Sequence, residues 1–382
     1  MPLAGQGGRA TIKDVMKPIS RLAAAVATVA LAATTSLGFA APASAAFDPG
    51  PVGPAWTPDG PVHAVTVAGN RVFVGGSFSE GIVALDAQSG GLLWKGNANG
   101  DVRALAVTAD GSSVIAGGAF TAVGGATHRK LALLSAATGA VDGKWRASAG
   151  GTVRDIVVSG DTAYFGGSFS KHNGIVQSNL GAVSTTPNQS AVPRTGFDAR
   201  SDGIVYALDL SGSRLVIGGR FTSLSGAARN QLGSFDVSSN SLDGWKPEAA
   251  CDGCNLYWDL TVAGDTVYAV SRNYGAATAV DLGTGARRWR TSANGDAQAV
   301  TVVDGQVYVG GHFSTIKGVD RKILAALNPA TGAVESFSSR FVGSFPGIWA
   351  LDSTSSRLYV GGHFTAAGPL PNSHPYLAFF GN

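Results

Sequence analysis

Two positions recur along the chain, and their side chains vary from one copy of a repeat to the next. The first position, just before a small residue of a predicted strand, holds His63, Arg103, Arg154, Tyr206, Trp258, Gln298 and Trp349. The second, between a Gly-Gly pair and an aromatic residue, holds Ser77, Ala119, Ser168, Arg220, Asn273, His312 and His363. Aromatic faces stack on sugar rings, and Arg and Gln side chains form oriented hydrogen bonds. These side chains predict a binding site for a polar polymer or small molecule, unless they only fill and hydrate a channel entrance.

Four of the side chains could support catalysis or metal binding. His312 and His363 occupy equivalent positions in neighbouring copies, but a zinc site needs a third ligand that the spacing does not supply. Asp155 and Asp259 stand where other copies have a small residue, and paired carboxylates could act in glycoside hydrolysis. Because they are two copies apart, a hydrogen-bonded structural role is favoured. No nucleophile, phosphate-binding or metalloprotease motif is present, so we assign no catalytic residue and no metal ligand.

Acidic residues also stand just ahead of the predicted first strands. They are Asp59, Asp101, Asp202 and Asp296. Carboxylate oxygens at such places could bind calcium, but no calcium-binding loop pattern follows them. Turn formation accounts for aspartate at these positions, and we predict no calcium site.

A Gly-Gly-x-aromatic phrase positions these residues and recurs at intervals of roughly forty to fifty residues. Its first copy is residues 75–78 and its last is residues 361–364. A worn copy at residues 267–274 keeps the strand and the final aromatic residue but lacks both glycines, which makes seven copies. A fixed period of this length is typical of a repeat architecture.

Each repeat has the pattern of four short antiparallel strands. In the first repeat these are residues 62–67, 71–76, 82–86 and 92–94, separated by Gly-, Asn- and Asp-containing turns. Seven such units predict an all-β fold, a single seven-bladed β-propeller over residues 46–382. The last repeat lacks a fourth strand, and residues 47–56 have the pattern of one. We therefore expect this N-terminal strand to complete the seventh blade and close the ring.

Tryptophans at the fourth-strand position indicate packing between blades. They are Trp56, Trp94, Trp145, Trp245 and Trp289. Residues 84–94 and 279–289, each ending in one of these tryptophans, resemble the tryptophan-docking repeat of PQQ-like, quinoprotein-type β-propellers. Residues 310–328 resemble the delta-60 repeat of exported bacterial β-propellers.

These resemblances imply a propeller fold and leave the activity open, because one scaffold hosts many functions. Quinoprotein dehydrogenases use larger, usually eight-bladed propellers with bound calcium, and many have a vicinal Cys-Cys disulfide. This chain has seven predicted blades, and its cysteines are separated by two residues. We therefore predict no cofactor, with calcium and quinone as the alternatives to test.

The first 45 residues have the pattern of a secretory signal peptide. Four basic residues precede an apolar run that ends in Ala-Ser-Ala, which predicts cleavage after Ala45 and a secreted, extracellular protein. No later stretch is apolar enough to span a bilayer. Residues 46–382 contain equal numbers of basic and acidic residues, so a nucleic-acid partner is not expected.

Cys251 and Cys254, the two cysteines of the chain, are expected to form a small structural disulfide because an exported protein meets an oxidising environment. The leading interpretation is a non-catalytic binding or scaffold module that acts as a monomer. Its partner would be a cell-wall or environmental polysaccharide, or an extracellular protein. The alternative is an enzyme at the channel mouth, either a quinone-dependent oxidoreductase or a sugar lyase or hydrolase.

Overall fold

The computed structural model describes residues 47–247, 255–272, 277–343, 347–368 and 374–381. Within these ranges the regular structure is β-strand throughout, and no helix occurs that could cross a membrane. The predicted signal peptide, Cys251 and Cys254 lie outside the described residues. The all-β class predicted from the repeats is therefore confirmed for the part of the chain that is described.

The first four sheets follow one another along residues 62–242. The first contains β1 (Val62–Ala68), β2 (Arg71–Gly76), β3 (Ile82–Asp86) and β4 (Leu92–Lys95). Next come β5 (Val102–Val107), β6 (Ser113–Gly118), β7 (Ala122–Val123), β8 (Ala126–Thr127) and β9 (Leu131–Ser135). The third group is β10 (Thr152–Ser159), β11 (Thr162–Ser168), β12 (Lys171–His172), β13 (Ile175–Val176) and β14 (Leu180–Ser184). The fourth is β15 (Ile204–Ser211), β16 (Arg214–Arg220), β17 (Ser223–Leu224), β18 (Ala227–Ala228), β19 (Leu232–Asp236) and β20 (Ser241–Leu242).

Three more sheets complete the described chain. The fifth contains β21 (Tyr257–Ala263), β22 (Thr266–Ser271), β23 (Ala277–Asp281) and β24 (Arg287–Thr291). The sixth group is β25 (Asp296–Val303), β26 (Gln306–His312), β27 (Thr315–Ile316), β28 (Val319–Asp320) and β29 (Leu324–Leu327). The last is β30 (Phe341–Val342), β31 (Gly347–Thr354), β32 (Arg357–His363), β33 (Ala366–Ala367) and β34 (Leu377–Gly381).

Four of these seven sheets have three full strands rather than the four expected from the sequence. Three sheets have four strands, whereas the second, third, sixth and seventh end at β9, β14, β29 and β34. In each of those four, a single bridge stands in place of the outer strand. The bridges are Leu134–Val141, Val183–Pro193, Leu327–Val334 and Val52–Phe379. Pro193 lacks the N–H that a longer ladder at that edge would use.

The first glycine of the repeated phrase allows neighbouring sheets to pack closely. A Cβ on Gly75 would lie 2.6 Å from Cγ1 of Val102 in the next sheet, which real packing does not permit. The fifth sheet has Val270 at this position, and the equivalent residue of the following sheet is Ala297. Both are fully buried in one hydrophobic cluster. A smaller partner thus compensates for the larger side chain of the worn repeat.

Four of the five fourth-strand tryptophans hold neighbouring sheets together. Their side chains are at most 8% exposed, and each indole N–H donates to a backbone carbonyl of the next sheet at 2.7–3.0 Å. The donor and acceptor pairs are Trp94–Ala136, Trp145–Ser184, Trp245–Asp281 and Trp289–Pro329. Trp56 is half-buried and packs edge-on against Phe78, with ring centroids 5.8 Å apart. These residues are structural.

The N-terminal segment, residues 47–56, contacts both the last and the first sheet. The N–H groups of Asp48 and Val52 donate to carbonyls of β34 at 2.8 and 2.7 Å. Farther along, the N–H of Ala55 donates to the carbonyl of Ser89, in the turn after β3, at 3.1 Å. Phe47 is 2% exposed and packs in the cluster that joins the sixth and seventh sheets. The segment therefore connects the two ends of the repeat array.

Candidate functional site

A cavity of about 440 Å³ opens where the first strands of all seven sheets converge. Each first strand contributes the residue at the blade-varied position of the sequence. The varied residues that line the cavity are His63, Arg103, Arg154, Tyr206, Trp258, Gln298 and Trp349, joined by His312 from β26. All eight are half-buried. The structure thus brings together eight of the ten residues predicted from the sequence as ligand-binding.

A β-bulge presents each of the seven first-strand residues. The pairing of β1 with β2 skips His63, because Val62 pairs with Gly76 and Ala64 pairs with Gly75. The same irregularity skips the equivalent residue in the other six sheets. A bulge leaves one residue outside the ladder and re-aims its side chain. This repeated irregularity lets positions with unrelated side chains share one cavity.

The second glycine of the phrase gives room to the bulged strand in the six sheets that keep it, whereas the fifth sheet has Ser271 at this position and bulges as well. A Cβ on Gly76 would lie 2.2 Å from the carbonyl oxygen of Pro61 and 3.0 Å from Cα of Val62. The equivalent glycines in the second and sixth sheets, Gly118 and Gly311, face the same obstruction at 2.0 and 2.1 Å. The backbone of the bulged strand therefore occupies the space where a side chain would be. The glycines of the phrase are scaffold residues that serve the site indirectly.

One side of the cavity is a cluster of imidazole and indole rings. His63 stacks on Trp349 with ring centroids 4.9 Å apart and an interplanar angle of 8°. The indole N–H of Trp349 donates to Nε2 of His312 at 3.4 Å. His363 lies 5.8 Å from the Trp349 ring and is parallel to Tyr376 at 6.1 Å. Trp349 therefore lies at the centre of this aromatic cluster.

A second aromatic group comes from the fourth and fifth sheets. Tyr206 and Trp258 meet edge to face, with ring centroids 4.6 Å apart. The guanidinium of Arg154 lies over the Tyr206 ring, 4.7 Å from its centroid, in a cation–π contact. The cavity therefore has two aromatic surfaces and a cation held in place on one of them.

A chain of hydrogen bonds links the cavity to the loop after β2. The Ser77 hydroxyl donates to Oδ1 of Asp101 at 2.6 Å, and Arg103 donates to Oδ2 at 2.5 Å. Nε2 of His63 lies 2.8 Å from Ser77 Oγ. Because the Ser77 proton is donated to Asp101, neutral His63 carries its proton on Nε2 and donates to Ser77. The chain fixes His63 against Trp349.

The pKa values along this chain favour a neutral histidine beside an ion pair. Burial, reinforced by the positive charge of Arg103, lowers the pKa of His63 to about 4. Burial alone would raise the pKa of Asp101, but the hydrogen bond from Ser77 and the charge of Arg103 lower it overall. At neutral pH, His63 is therefore an uncharged stacking and hydrogen-bonding group.

We expect His63 to make the protein less stable as the pH falls from about 6.5 to about 4. The unfolded chain binds a proton at the ordinary histidine pKa of 6.5, whereas folded His63 resists protonation until about 4. The unfolded state binds more protons in this window, so the contribution is complete above pH 6.5 and declines below it, by at most about 3 kcal/mol. Thermal unfolding of the wild type and His63→Gln at about pH 7 and about pH 4.5 measures it. An identical loss of Tm in both proteins would contradict the assignment.

Asp155 and Asp259 line the cavity as clamps between sheets. One oxygen of Asp155 accepts the N–H of Ile156 at 2.8 Å, and the other accepts the N–H of Leu208 in the next sheet at 2.6 Å. Asp259 has the same arrangement. One of its oxygens accepts the N–H of Leu260 in its own sheet, and the other accepts the N–H of Val300 in the next sheet, both at 2.9 Å. These bonds support the structural role favoured by the sequence. A hydrolytic mechanism would have to break them to use the carboxylates.

Several polar atoms around the cavity are shielded from solvent and have no hydrogen-bond partner among the described residues. They are Nε of Arg154, Nε1 of Trp258 and Oε1 of Gln298. An unsatisfied buried polar group costs about 1–3 kcal/mol, and a ligand or water that bonds to it removes this cost. Two donors and one acceptor on the first strands of the third, fifth and sixth sheets suit a ligand rich in hydroxyl groups.

Two predicted site residues lie outside the cavity lining. Arg220 is exposed, and His363 lies behind the lining residue Trp349. Asn273, which the sequence placed at the equivalent position of the worn repeat, is outside the described residues, and the strand pairing puts Arg272 at that position instead. The varied position of the second strand therefore contributes one lining residue, His312, and the first-strand position contributes seven. The bulges were not predicted from the sequence, although the Gly-Gly pair that faces them in six of the sheets indicates that a neighbouring backbone comes close.

The acidic residues ahead of the first strands have structural partners. Asp59 accepts the N–H of Ser79 at 2.8 Å, and Asp202 accepts the N–H of Thr222 at 2.8 Å. Among the described residues, no group of three or more His, Cys, Asp or Glu side chains could hold a metal ion.

Solved structures with a similar fold include a β-propeller. The WD40 β-propeller domain of Doa1 gives a TM-score of 0.53 at 11% identity, covering 89% of this chain and 95% of that chain. The computationally designed Ika8 protein gives 0.51 at 14% identity, with 87% and 99% covered. BamB from Moraxella catarrhalis gives 0.47 at 15% identity, with 84% and 85% covered. The match to Doa1 shows that the fold is a β-propeller.

Comparison with family models identifies the family to which the chain belongs. No curated protein sequence matches the chain significantly. A family model described as outer membrane protein assembly factor BamB matches residues 55–291 and again residues 197–365. Together these matches cover residues 55–365 of the 382-residue chain. The chain therefore belongs to this family of PQQ-like β-propellers.

Proposed function

We propose that the protein is a non-catalytic binding module that holds an extracellular polysaccharide in the cavity between its first strands. One observation carries this proposal: all seven sheets use a bulge to direct a side chain that varies from sheet to sheet into the same cavity. Two aromatic surfaces suit stacking on sugar rings, and the shielded polar atoms suit hydroxyl groups. The carboxylates that could act on a glycosidic bond are engaged as clamps.

The scaffold of this site is proposed to be a ring of seven blades closed by the N-terminal strand. Support comes from the contacts between the last and first sheets, which are like those between other neighbours. A Cβ on Gly361 would lie 2.4 Å from Cγ1 of Val62, just as a Cβ on Gly75 of the first sheet would lie 2.6 Å from Cγ1 of Val102 in the second. Asp352 accepts the N–H of Val67 at 2.9 Å, a clamp of the kind made by Asp155. The bridge from Val52 would supply the missing outer strand.

Secretion and the monomeric state are part of the same proposal. The basic and apolar pattern of residues 1–45 supports export, after which the cavity would face the cell exterior. The family description names an assembly factor for outer membrane proteins, which is a binding role without turnover. That description also makes an extracellular protein the competing partner. A concave, aromatic-lined cavity of about 440 Å³ favours sugar units over a flat protein surface.

Removing the aromatic surfaces tests the proposal. We expect Trp258→Ala and Trp349→Ala each to weaken glycan binding about thirtyfold or more, since truncating a central aromatic anchor costs about 2 kcal/mol or more. Trp258→Phe keeps a stacking face but loses the N–H, so its affinity should fall between those of the wild type and Trp258→Ala. The measurement is isothermal titration against a panel of oligosaccharides, with folding checked by thermal unfolding.

Trp56→Ala is the matched control, because this half-buried tryptophan lies outside the cavity lining. Its glycan affinity should equal that of the wild type. Unchanged binding in Trp258→Ala and Trp349→Ala would place the glycan site elsewhere. Release of new reducing ends from any oligosaccharide, or a spectral change with quinone and calcium, would instead identify an enzyme.

A further inference from the structure

Arg154 carries a positive charge that forms no salt bridge with an acidic side chain in the described part of the chain, whereas Arg103, Arg194, Arg214 and Arg288 each pair with an aspartate at 2.5–2.6 Å. Its Nε is shielded from solvent and has no hydrogen-bond partner in the described chain. Its one specific contact is the cation–π contact with Tyr206, which holds the guanidinium at the cavity wall.

The surroundings of Arg154 increase the cost of this charge. Burial, together with the nearby charge of Arg103, lowers the pKa of Arg154. Asp101 compensates only Arg103, to which it is bonded. Asp155 is next in sequence, but both of its oxygens accept backbone N–H groups. Two arginines therefore face the cavity, and Asp101 pairs with only one of them, Arg103. The remaining positive charge of Arg154 favours the binding of an anion.

We infer that the cavity binds an acidic polysaccharide, with a sugar carboxylate bound by the guanidinium of Arg154 and supported by Arg103. This inference rests on the proposed function and adds the chemical class of the ligand. A planar guanidinium matches a carboxylate in a two-pronged hydrogen bond, and its Nε–H would gain the acceptor that it lacks. Because Tyr206 adjoins Arg154 and Trp258 adjoins Tyr206, a uronic acid ring can stack on this aromatic surface while its carboxylate meets the cation.

The test compares uronic acid oligosaccharides with their methyl esters, in which a neutral ester replaces each charged carboxylate. We expect the wild type to bind the acid form about tenfold more tightly or better, and added salt to weaken only this form. Arg154→Met should remove the preference, so that the acid and the ester bind with equal affinity. Arg154→Lys, which keeps the charge but not the planar fork, should retain part of it. Arg220→Met is the matched control and should bind both forms as the wild type does, because Arg220 is exposed outside the lining.

A second readout separates ligand binding from a structural role. Without ligand, the Tm of Arg154→Met should equal or exceed that of the wild type, because an uncompensated charge is removed from a desolvated position. A marked drop in its Tm would show that Arg154 serves the fold.

Other outcomes are also decisive. Equal affinity for acid and ester, with both lost in Trp258→Ala, overturns this inference and leaves the proposed function standing. Binding of neither form, nor of any neutral oligosaccharide, overturns both. If polyglutamate binds as tightly as the uronic acid oligosaccharides, the site recognises carboxylates without requiring a sugar, which contradicts the inference.

Discussion

Replacing Trp145 with alanine is expected to lower the free energy of unfolding by about 3–5 kcal/mol. Its side chain is fully buried, and it packs in a cluster with Ile156 and Phe165 of the third sheet. Its indole N–H also donates to the carbonyl of Ser184 at 2.8 Å. Truncation would leave a large cavity between two sheets and an unpaired carbonyl oxygen. Equilibrium unfolding in denaturant measures the loss as a lower midpoint.

Two further variants are needed to interpret this result. Trp145→Phe keeps most of the buried ring but loses the indole N–H, so it should lose clearly less stability than Trp145→Ala. Leu93→Ala is the control, because Leu93 lies on an outer strand and is 46% exposed. We expect it to change stability by about 0.5 kcal/mol or less. If Trp145→Ala matched this control, the fourth-strand tryptophans could not be what holds the sheets together.

The repeated strands were predictable because each repeat makes the same local pattern. Alternating apolar residues and glycine-containing turns indicate hairpins without knowledge of the rest of the chain. The Gly-Gly phrase indicated the period, and the structure adds a reason for each glycine. Gly75 gives room to Val102 of the next sheet, and Gly76 gives room to the bulged backbone near Pro61. The propeller fold was therefore accessible from the sequence.

Features that depend on contacts between sheets were not predictable in the same way. The worn repeat has Val270 where others have glycine, and this substitution is acceptable because Ala297 stands at the facing position of the next sheet. Recognising this requires the register between the two sheets. The outer strands were over-predicted for a similar reason, since Pro193 and its counterparts form single bridges rather than ladders.

The candidate site was predictable as a set of positions but not as an arrangement. Variation from copy to copy marked the first-strand residues, and all seven line the cavity. The same reasoning included Arg220, which the structure leaves exposed. It could not show that Ser77 and Asp101 fix His63, nor that Arg154 packs over Tyr206 without a salt bridge to any described residue. Those properties come from side chains on different sheets, whose distances the sequence does not contain.

Deleting residues 46–57 is expected to lower the Tm strongly and to promote aggregation, because this segment would no longer cover the outer edge of the last sheet. The deletion removes the hydrogen bonds from Asp48 and Val52 to β34 and takes Phe47 out of its cluster. An exposed β34 would present unpaired backbone groups to other chains. Thermal unfolding and light scattering measure the two effects.

Point variants distinguish ring closure from simple coverage of a surface. Phe47→Ala should cost about 3–5 kcal/mol, because its ring is 2% exposed and packs against Tyr308 at 5.5 Å. Val52→Ala should cost little, since that side chain is 54% exposed and its bridge to Phe379 uses only the backbone. If the deletion left the Tm unchanged, the fold would not depend on the N-terminal strand. We expect Phe47→Ala to lose much more stability than Val52→Ala. This outcome would indicate that Phe47 anchors the N-terminal strand by its buried side chain, while backbone hydrogen bonds hold the rest of the strand, as the proposed closure of the ring implies.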